Sequence, residues 1–318
     1  LEIVSDIELF ARSARRPFIA VTGSNGKSTV TTLLYHMCRA GGRIALAGGN
    51  LGEPALDLLD QDAPDIYVLE LSSFQLQRTE NLPAEVALLL NVSPDHLDWH
   101  ADEDEYRSAK YRIFKDVDAA VINRADEEAA HKVEHCGRVA TFGLDAPGAD
   151  QFGLREEDGE RFLARGDTLL LSIRDLALYG IHNQLNALAA LAAGDLIGLD
   201  MAAMLQVLVE FPGLPHRMQF VARIGAVDYI NDSKATNVAA AVASIKSVEG
   251  MLVLIAGGDG KGADFSELAE AVEGRLRGAV LIGEDAEKIA HALDTVMPVH
   301  FAENMESAVH MAATCAES

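Results

Sequence analysis

The segment that most restricts what this chain can fold into runs from Phe18 to Thr29. An apolar pentad, Phe-Ile-Ala-Val-Thr, enters Gly-Ser-Asn-Gly and then Lys-Ser-Thr, where a helical stretch to Ala40 begins. A short run that is apolar at nearly every position reads as a strand covered on both faces, the mark of a parallel sheet between helices. A glycine-rich turn into a helix start gathers backbone N–H groups at the positive end of a helix dipole, and that combination binds phosphate. Lys27 is then placed to reach β- and γ-phosphates and Ser28 to offer its hydroxyl to Mg²⁺. The general phosphate-loop pattern wants Gly five residues before Gly26, where this chain has Val21, so the loop is a shorter variant. The plain alternative is a turn with a surface lysine; the strand before it and the helix after it speak against that.

The same rhythm recurs. Ile66–Glu70, Val86–Asn91 and Ala119–Asn123 are apolar runs of strand length ending in polar residues, as buried parallel strands do where they meet a ligand. Between Val139 and Leu178, short β-like runs separated by Gly143, Gly148, Gly153, Gly159 and Gly166 predict a small antiparallel sheet. Helices are expected from Asn183 to Ile197 and from Met201 to Phe211. Pro212-Gly-Leu-Pro215 is the strongest break, and the alternation restarts beyond it at Val227–Ile230, Met251–Ile255 and Ala279–Ile282. The expected class is α/β in two domains. Residues 1–213 form a P-loop-type parallel-sheet domain carrying the small antiparallel sheet, and residues 214–318 form a Rossmann-like α/β domain.

Composition narrows the partners. A formal net charge of -23 is the wrong sign for a nucleic-acid binder. It does not exclude nucleotide phosphates, because the field of exposed carboxylates fades over ~8 Å at physiological salt. No run of ~18 apolar residues suggests a membrane span. Residue 1 is Leu and no charged-then-apolar leader follows it, so no secretory signal is expected. Cys38, Cys136 and Cys315 are odd in number and form no CxxC pair, which fits a reducing cytoplasm and argues against structural zinc.

Further candidates stand at strand ends and helix starts. Glu70 alone is one of 49 acids and would be a solvated charge; four apolar residues before it favour a Mg²⁺-binding carboxylate. His96 follows Asp95 at the end of another strand, whereas His100 has no such setting and is read as surface. Lys110 lies on a helix preceded by acids, which could be an ordinary amphipathic helix with i,i+4 pairs. Asn183 could be a helix N-cap. Arg217 follows the Pro/Gly break, and suits a cation that meets phosphate when domains close. Gly257-Gly-Asp-Gly-Lys261 looks like another glycine-rich ligand turn.

Thr22-Gly-Ser-Asn-Gly-Lys-Ser-Thr29, with Asn231-Asp-Ser-Lys-Ala-Thr-Asn237, resembles the Mur ligase family, ATP-dependent amide ligases of bacterial cell-wall precursor synthesis. The Ser-Asn pair in the loop is the form of the branch that adds D-glutamate. The resemblance covers essentially all 318 residues. It implies that Gly23, Asn25, Gly26, Lys27, Ser28 and Thr29 hold ATP, joined by Asn183, Asn186 and Arg217, with Asp232 at the ribose. It puts Mg²⁺ at two sites on Ser28, Glu70, His96 and Lys110, the lysine carbamylated by CO₂; Lys27, His96 and Lys110 are the catalytic set. Asn50, Ser72 and Gln75 would line the site of the muramoyl substrate, Lys234 and Thr236 would lie near the incoming amino acid, and Lys261 would meet the D-glutamate side chain.

The expected reaction joins D-glutamate to UDP-N-acetylmuramoyl-L-alanine through an acyl phosphate, in a cytoplasmic, monomeric enzyme without nucleic-acid or membrane partners. The family also carries a preceding uridine-diphosphate-binding domain, whose final segment Leu1–Phe10 resembles, and a later Ser- and Phe-containing stretch; both are expected outside these residues. Three rivals remain open at the level of sequence. They are a sister ligase or folylpolyglutamate-synthetase-like enzyme, a non-catalytic nucleotide-binding partner subunit, and a generic P-loop kinase or NTPase. The second can carry a Cys-rich zinc insert, which this sequence lacks; the loop spacing and the motifs after Pro215 speak against the third.

Overall fold

The computed structural model describes residues 3–93, 99–248, 250–260, 263–293 and 297–317. The chain divides into two compact units, Leu1–Leu178 with His182–Phe211, and Pro212–Ser318 with Tyr179–Ile181. No helix among the described residues is long and apolar enough to cross a membrane.

The first unit opens with α1 (Asp6–Ser13), β1 (Phe18–Thr22), α2 (Lys27–Ala40), β2 (Ala45–Gly49), β3 (Ile66–Glu70), α3 (Ser73–Gln77) and β4 (Val86–Leu89). It continues through α4 (Glu103–Tyr111), β5 (Ala119–Asn123), α5 (Glu127–Lys132) and β6 (Arg138–Phe142). Strands β7 (Phe152–Glu157), β8 (Glu160–Arg165) and β9 (Thr168–Ser172) precede α6 (Ile181–Leu196) and α7 (Met201–Glu210). All nine strands form one sheet in the order β2-β3-β1-β4-β5-β6-β7-β8-β9. Strands β1 to β6 pair in parallel. Every residue of β1 and β3 is buried, as the continuous apolar runs required.

Alternation assigns the two faces. Phe18, Ala20, Tyr67, Leu69, Ala87 and Leu89 pack with Phe10 of α1, Leu76 of α3, and Ile113 and Phe114 after α4. Ile19, Val21, Val68 and Leu88 point the other way, and α2 lies against β1, β2 and β3. Each large apolar side chain buried in this way stabilises the fold by about 1.5–3 kcal/mol. The antiparallel strands β7 to β9 join the same sheet through one Phe142↔Phe152 pairing. Their first turn is Asp158-Gly159, both at positive φ (51° and 76°), the geometry of a two-residue I′ hairpin.

A buried carboxylate ties α1 down. Glu8 is 1% exposed, accepts the N–H groups of Glu80 and Asn81 at 2.8 Å each, and meets Arg12 Nε at 2.8 Å. Burial pushes its pKa up, but these donors together outweigh burial and hold it below the ordinary carboxylate range. A carboxyl lowered in the folded state contributes its stability fully above the unfolded pKa and loses it as pH falls through the folded value. Glu8→Gln is therefore expected to cost about 2–3 kcal/mol at neutral pH, with the difference from the native chain shrinking as pH falls below the ordinary carboxylate range. Thermal melts of both chains across that range check this, and a pH-independent difference would refute it.

In the second unit, β10 (Gln219–Ile224) and β11 (Val227–Asn231) form an antiparallel hairpin. After α8 (Val238–Ser247) the chain alternates through β12 (Leu252–Gly257), α9 (Ser266–Val272), β13 (Leu276–Ile282), α10 (Ala286–Leu293), β14 (Val299–Phe301) and α11 (Met305–Glu317). Strands β12, β13 and β14 pair in parallel. Ile245, Leu268, Val272, Leu281, Ile289 and Leu293 form the core between sheet and helices. Gly257 closes β12 at φ 149°, where a Cβ would lie 1.6 Å from the carbonyl oxygen of Ile282, so no other residue fits.

Candidate active site

Strand order sets the site. With β1 between β3 and β4, and β2 beyond β3, the C-terminal ends of four parallel strands bring Asn50, Glu70, Gly23 and Asn91 to one edge. That edge is where open parallel sheets bind ligands.

The phosphate loop is pinned from two sides. Ser24 N–H donates to Asn91 O (2.9 Å), and Asn25 exchanges two bonds with the Asn91 side chain at 2.9 and 3.0 Å. The Ser24 hydroxyl donates to Ser93 O (2.9 Å) and accepts Ser93 N–H (2.9 Å), so the Tyr106 hydroxyl 2.8 Å away must donate to it. Gly26 stands just before α2 at φ 84°, and a Cβ there would sit 2.3 Å from Asn186 Oδ1. Gly26→Ala is thus expected to remove about 2 kcal/mol of stability through its backbone alone, and to weaken nucleotide binding tens of times by displacing Asn186. Melting and nucleotide titration of the variant test both effects.

Two lysines converge on this loop. Lys27 Nζ donates to Gly23 O (2.8 Å) and Ser24 O (3.0 Å), and Lys110 Nζ donates to the same Gly23 O at 2.8 Å. Lys110 is 2% exposed and also lies 4.9 Å over the Tyr106 ring, a favourable place for a cation. Its helix is capped by Asp102, whose side chain accepts Glu105 N–H, and carries the i,i+4 pair Glu103–Arg107 at 3.7 Å. Lys27, Lys110, Tyr106, Asn50, Ser72, Ser73 and Phe74 enclose a cavity of about 160 Å³.

On the same cavity, Asn50 Nδ2 donates to Glu70 Oε1 at 3.0 Å. Gly49 must be glycine: φ is 96° and a Cβ would lie 2.5 Å from Glu70 O. Glu70 is buried, and its second oxygen, Oε2, has no hydrogen-bond partner among the described residues. A half-satisfied buried carboxylate calls for a cation. No group of three His, Cys, Asp or Glu side chains gathers among the described residues. Mg²⁺ takes one or two protein oxygens and completes its shell with phosphate and water. Ser28, buried at the start of α2, and Glu70 are oxygen donors of the right kind.

Other expected residues fall as follows. Ser72 caps α3 and lines the cavity, whereas Gln75 is spent: its Oε1 accepts from Ser72, and its Nε2 donates to both carboxylate oxygens of Asp6 (3.2 and 3.1 Å). Gln75 therefore acts on the cavity through Ser72. Asn183 is no N-cap, because α6 begins two residues earlier; its Oδ1 accepts Asn186 Nδ2 at 3.0 Å. Thr29 is buried in the first turn of α2. His96 and Lys261 lie outside the described residues.

His100 corrects the reading of it as a surface residue. It is 2% exposed, with Nε2 3.0 Å from Ser73 Oγ, its ring stacked on Phe74 and edge-on to Tyr106. The aromatic neighbours that bury it come from α3 and α4. Ser24 and Tyr106 join the loop and cavity without having been expected there; Tyr106 stands one helical turn before Lys110, a spacing that puts both on one face.

In the second unit, Met218 N–H donates to Asp232 Oδ1 (2.9 Å), and the other oxygen of Asp232 accepts the Ser244 hydroxyl. Lys234 N–H donates to His216 O at 3.0 Å, and Thr236 N–H to Lys234 O at 3.0 Å. The motif after β11 is thereby laced to the segment holding Arg217. Asp285 clamps the turn after β12, accepting Gly260 N–H at 2.7 Å while its own N–H donates to Gly258 O at 3.0 Å. The Lys288 ammonium, with that Gly260 N–H, holds the Asp285 carboxyl below the ordinary range.

Comparison with known proteins agrees in both halves. Residues 21–194 match the Mur ligase middle domain, and residues 216–318 the Mur ligase glutamate ligase domain. UDP-N-acetylmuramoylalanine–D-glutamate ligase of Nitrosococcus oceani is 49% identical over 320 aligned residues, covering 100% of this chain and 71% of the relative. The ligase of the same name from Pseudomonas syringae pv. tomato is 50% identical, covering 99% and 71%. Among solved structures, MurF from Acinetobacter baumannii superposes with a TM-score of 0.71 at 21% identity, over 97% of this chain and 72% of that one. Mycobacterium tuberculosis folylpolyglutamate synthase, in complexes with ADP and AMPPCP, gives 0.68 at 19% identity, over 97% and 86%.

Proposed function

We propose a reaction from the premise that this chain belongs to the Mur ligase family: ATP-dependent addition of D-glutamate to UDP-N-acetylmuramoyl-L-alanine. The enzyme class, an ATP-dependent amide ligase of peptidoglycan precursor synthesis, comes with the family; the choice of amino acid is supported by relatives near 50% identity that carry that name. A carboxylate oxygen of the muramoyl-alanine attacks the γ-phosphorus, the bond to ADP breaks, and an acyl phosphate forms. The D-glutamate amine then attacks the acyl carbon, and phosphate leaves from a tetrahedral intermediate.

One observation carries this reading: two lysines share the Gly23 carbonyl on the phosphate loop, in the unit where Glu70 holds a carboxylate oxygen without a hydrogen-bond partner among the described residues. Lys27 leaves its carbonyl partners for the transferring phosphoryl group and neutralises charge that grows there. Gly23, Asn25, Gly26, Ser28 and Thr29 cradle the phosphates; Asn183 and Asn186 are further nucleotide contacts of the first unit, and Arg217 and Asp232 are those of the second. Ser28, Glu70, His96 and Lys110 are the groups that would hold two Mg²⁺ ions, whose chemistry is charge neutralisation on the phosphates. Asn50 and Ser72 face the muramoyl substrate, while Lys234, Thr236 and Lys261 receive the amino acid.

Lys110 is carbamylated in this reading. A carbamate nitrogen keeps one N–H, so the bond to Gly23 O survives while an anionic group joins the cavity wall. An intact mass equal to the unmodified chain, at high bicarbonate with metal bound, would count against it. The ATP-binding domain extends to Gly213 and the amino-acid-binding domain starts at Leu214, in a cytoplasmic monomer.

Phosphate release tests the whole. It should require both UDP-N-acetylmuramoyl-L-alanine and D-glutamate. Release with neither would make the protein a simple NTPase, and release driven by another amino acid would make it a sister ligase.

A further inference from the structure

Arg217 sits between two residues whose backbones L amino acids avoid. His216 has φ 64° and Met218 has φ 44°, and neither is glycine. Positive φ crowds Cβ against the neighbouring carbonyl. Histidine tolerates this region better than most residues; methionine does not. Such angles persist only where the surroundings impose them.

Here the surroundings are explicit. His216 N–H donates to Gln219 Oε1, its carbonyl accepts Lys234 N–H, and its ring Nδ1 faces Asn231 Nδ2, each at 3.0 Å. Met218 N–H is taken by Asp232 Oδ1 at 2.9 Å, and Asp232 is itself oriented by the Ser244 hydroxyl from α8. Met218 is buried at 6% exposure, so its side chain also resists a swing of the backbone. The hairpin makes the arrangement possible, because the Gln219↔Asn231 register sets the start of β10 beside the end of β11. Both flanks of Arg217 are thus held, largely by groups from the end of β11 and from α8, well beyond it in the sequence. Arg217 N–H also closes a turn onto Leu214 O at 3.2 Å, which puts His216 at a position where positive φ is usual, so the angle at Met218 is the one the Asp232 tie must impose.

We propose that the His216–Met218 turn is a strained holder that aims the Arg217 guanidinium, with Asn231, Asp232 and Ser244 as positioning residues acting through it. This rests on the reading of Arg217 as a cation for ATP phosphate. Asp232 can serve the turn and a ribose together, since each carboxylate oxygen accepts more than one hydrogen bond. When a tie is cut, the turn relaxes to ordinary angles and the guanidinium loses its aim.

Steady-state kinetics with ATP and amino acid varied separately test it, alongside thermal melts. Asn231→Ala and Ser244→Ala should each raise KM for ATP about fivefold, the worth of one net hydrogen bond. The kcat and the KM for D-glutamate should stay within about twofold, which a general loosening of the fold would not allow. Adding Met218→Gly to Ser244→Ala should return KM for ATP towards the native value, because glycine holds positive φ without the tie. Wild-type KM for ATP in both tie variants, with a raised value in Arg217→Ala, would overturn the holder while leaving the ATP reading intact. Failure of Met218→Gly to restore a raised KM would remove strain from the account. An unchanged KM for ATP in Arg217→Ala would remove the ATP reading and the holder with it.

Discussion

Lys27→Ala is expected to lower kcat about a thousandfold, the scale found when one preorganised charge donor is removed from a phosphoryl or oxyanion site. The fold should hardly notice. Lys27 caps the Gly23 and Ser24 carbonyls, and Gly23 keeps the Lys110 donor when Lys27 is gone, so the cost in stability is about 1 kcal/mol. Lys27→Arg should fare little better, because a planar guanidinium cannot take the place of a compact ammonium in a turn this tight. Turnover and melting temperature measured on the same preparations decide the matter. A loss of activity that merely tracks a loss of folded protein would mean that Lys27 is structural.

The second large effect is at Glu70, and there activity and stability should move in opposite directions. Glu70→Gln keeps an oxygen to accept Asn50 Nδ2 but removes the charge on the unpartnered side. A buried charge with half its bonds unmade costs stability, so the variant should melt at the native temperature or above it. Turnover should fall about a thousandfold, with partial recovery as Mg²⁺ is raised, because a metal that bridges phosphates is held less well by a neutral ligand. Wild-type turnover by Glu70→Gln at limiting Mg²⁺ would end the assignment of a metal-holding role.

The loop and the acid were legible in the sequence for the same reason. Each stands at the end of a run so apolar that only a buried strand suits it, and a parallel sheet delivers such ends to one edge. What escaped was settled by contacts between distant segments. His100 sits among Trp99, Ala101 and Asp102, which look exposed, yet Phe74 and Ser73 of another helix bury it. Gln75 was expected at the substrate, but Asp6 claims its amide. Asn183 has the chemistry of a cap, and lost that role because α6 starts earlier than its polar residues suggest. The angles at His216 and Met218 could not be read at all, since nothing in a histidine or a methionine announces positive φ.

The place of β1 in the sheet has a consequence for how this protein fails. The phosphate loop hangs from a strand hydrogen-bonded on both sides and shielded on both faces, the part of a sheet whose amides exchange last with solvent. Nucleotide capture then cannot be lost through fraying at the margins of the first unit. Loss of phosphate binding by the loop and collapse of that unit should be a single cooperative event, and nucleotide, by clinging to the folded form alone, should delay both together.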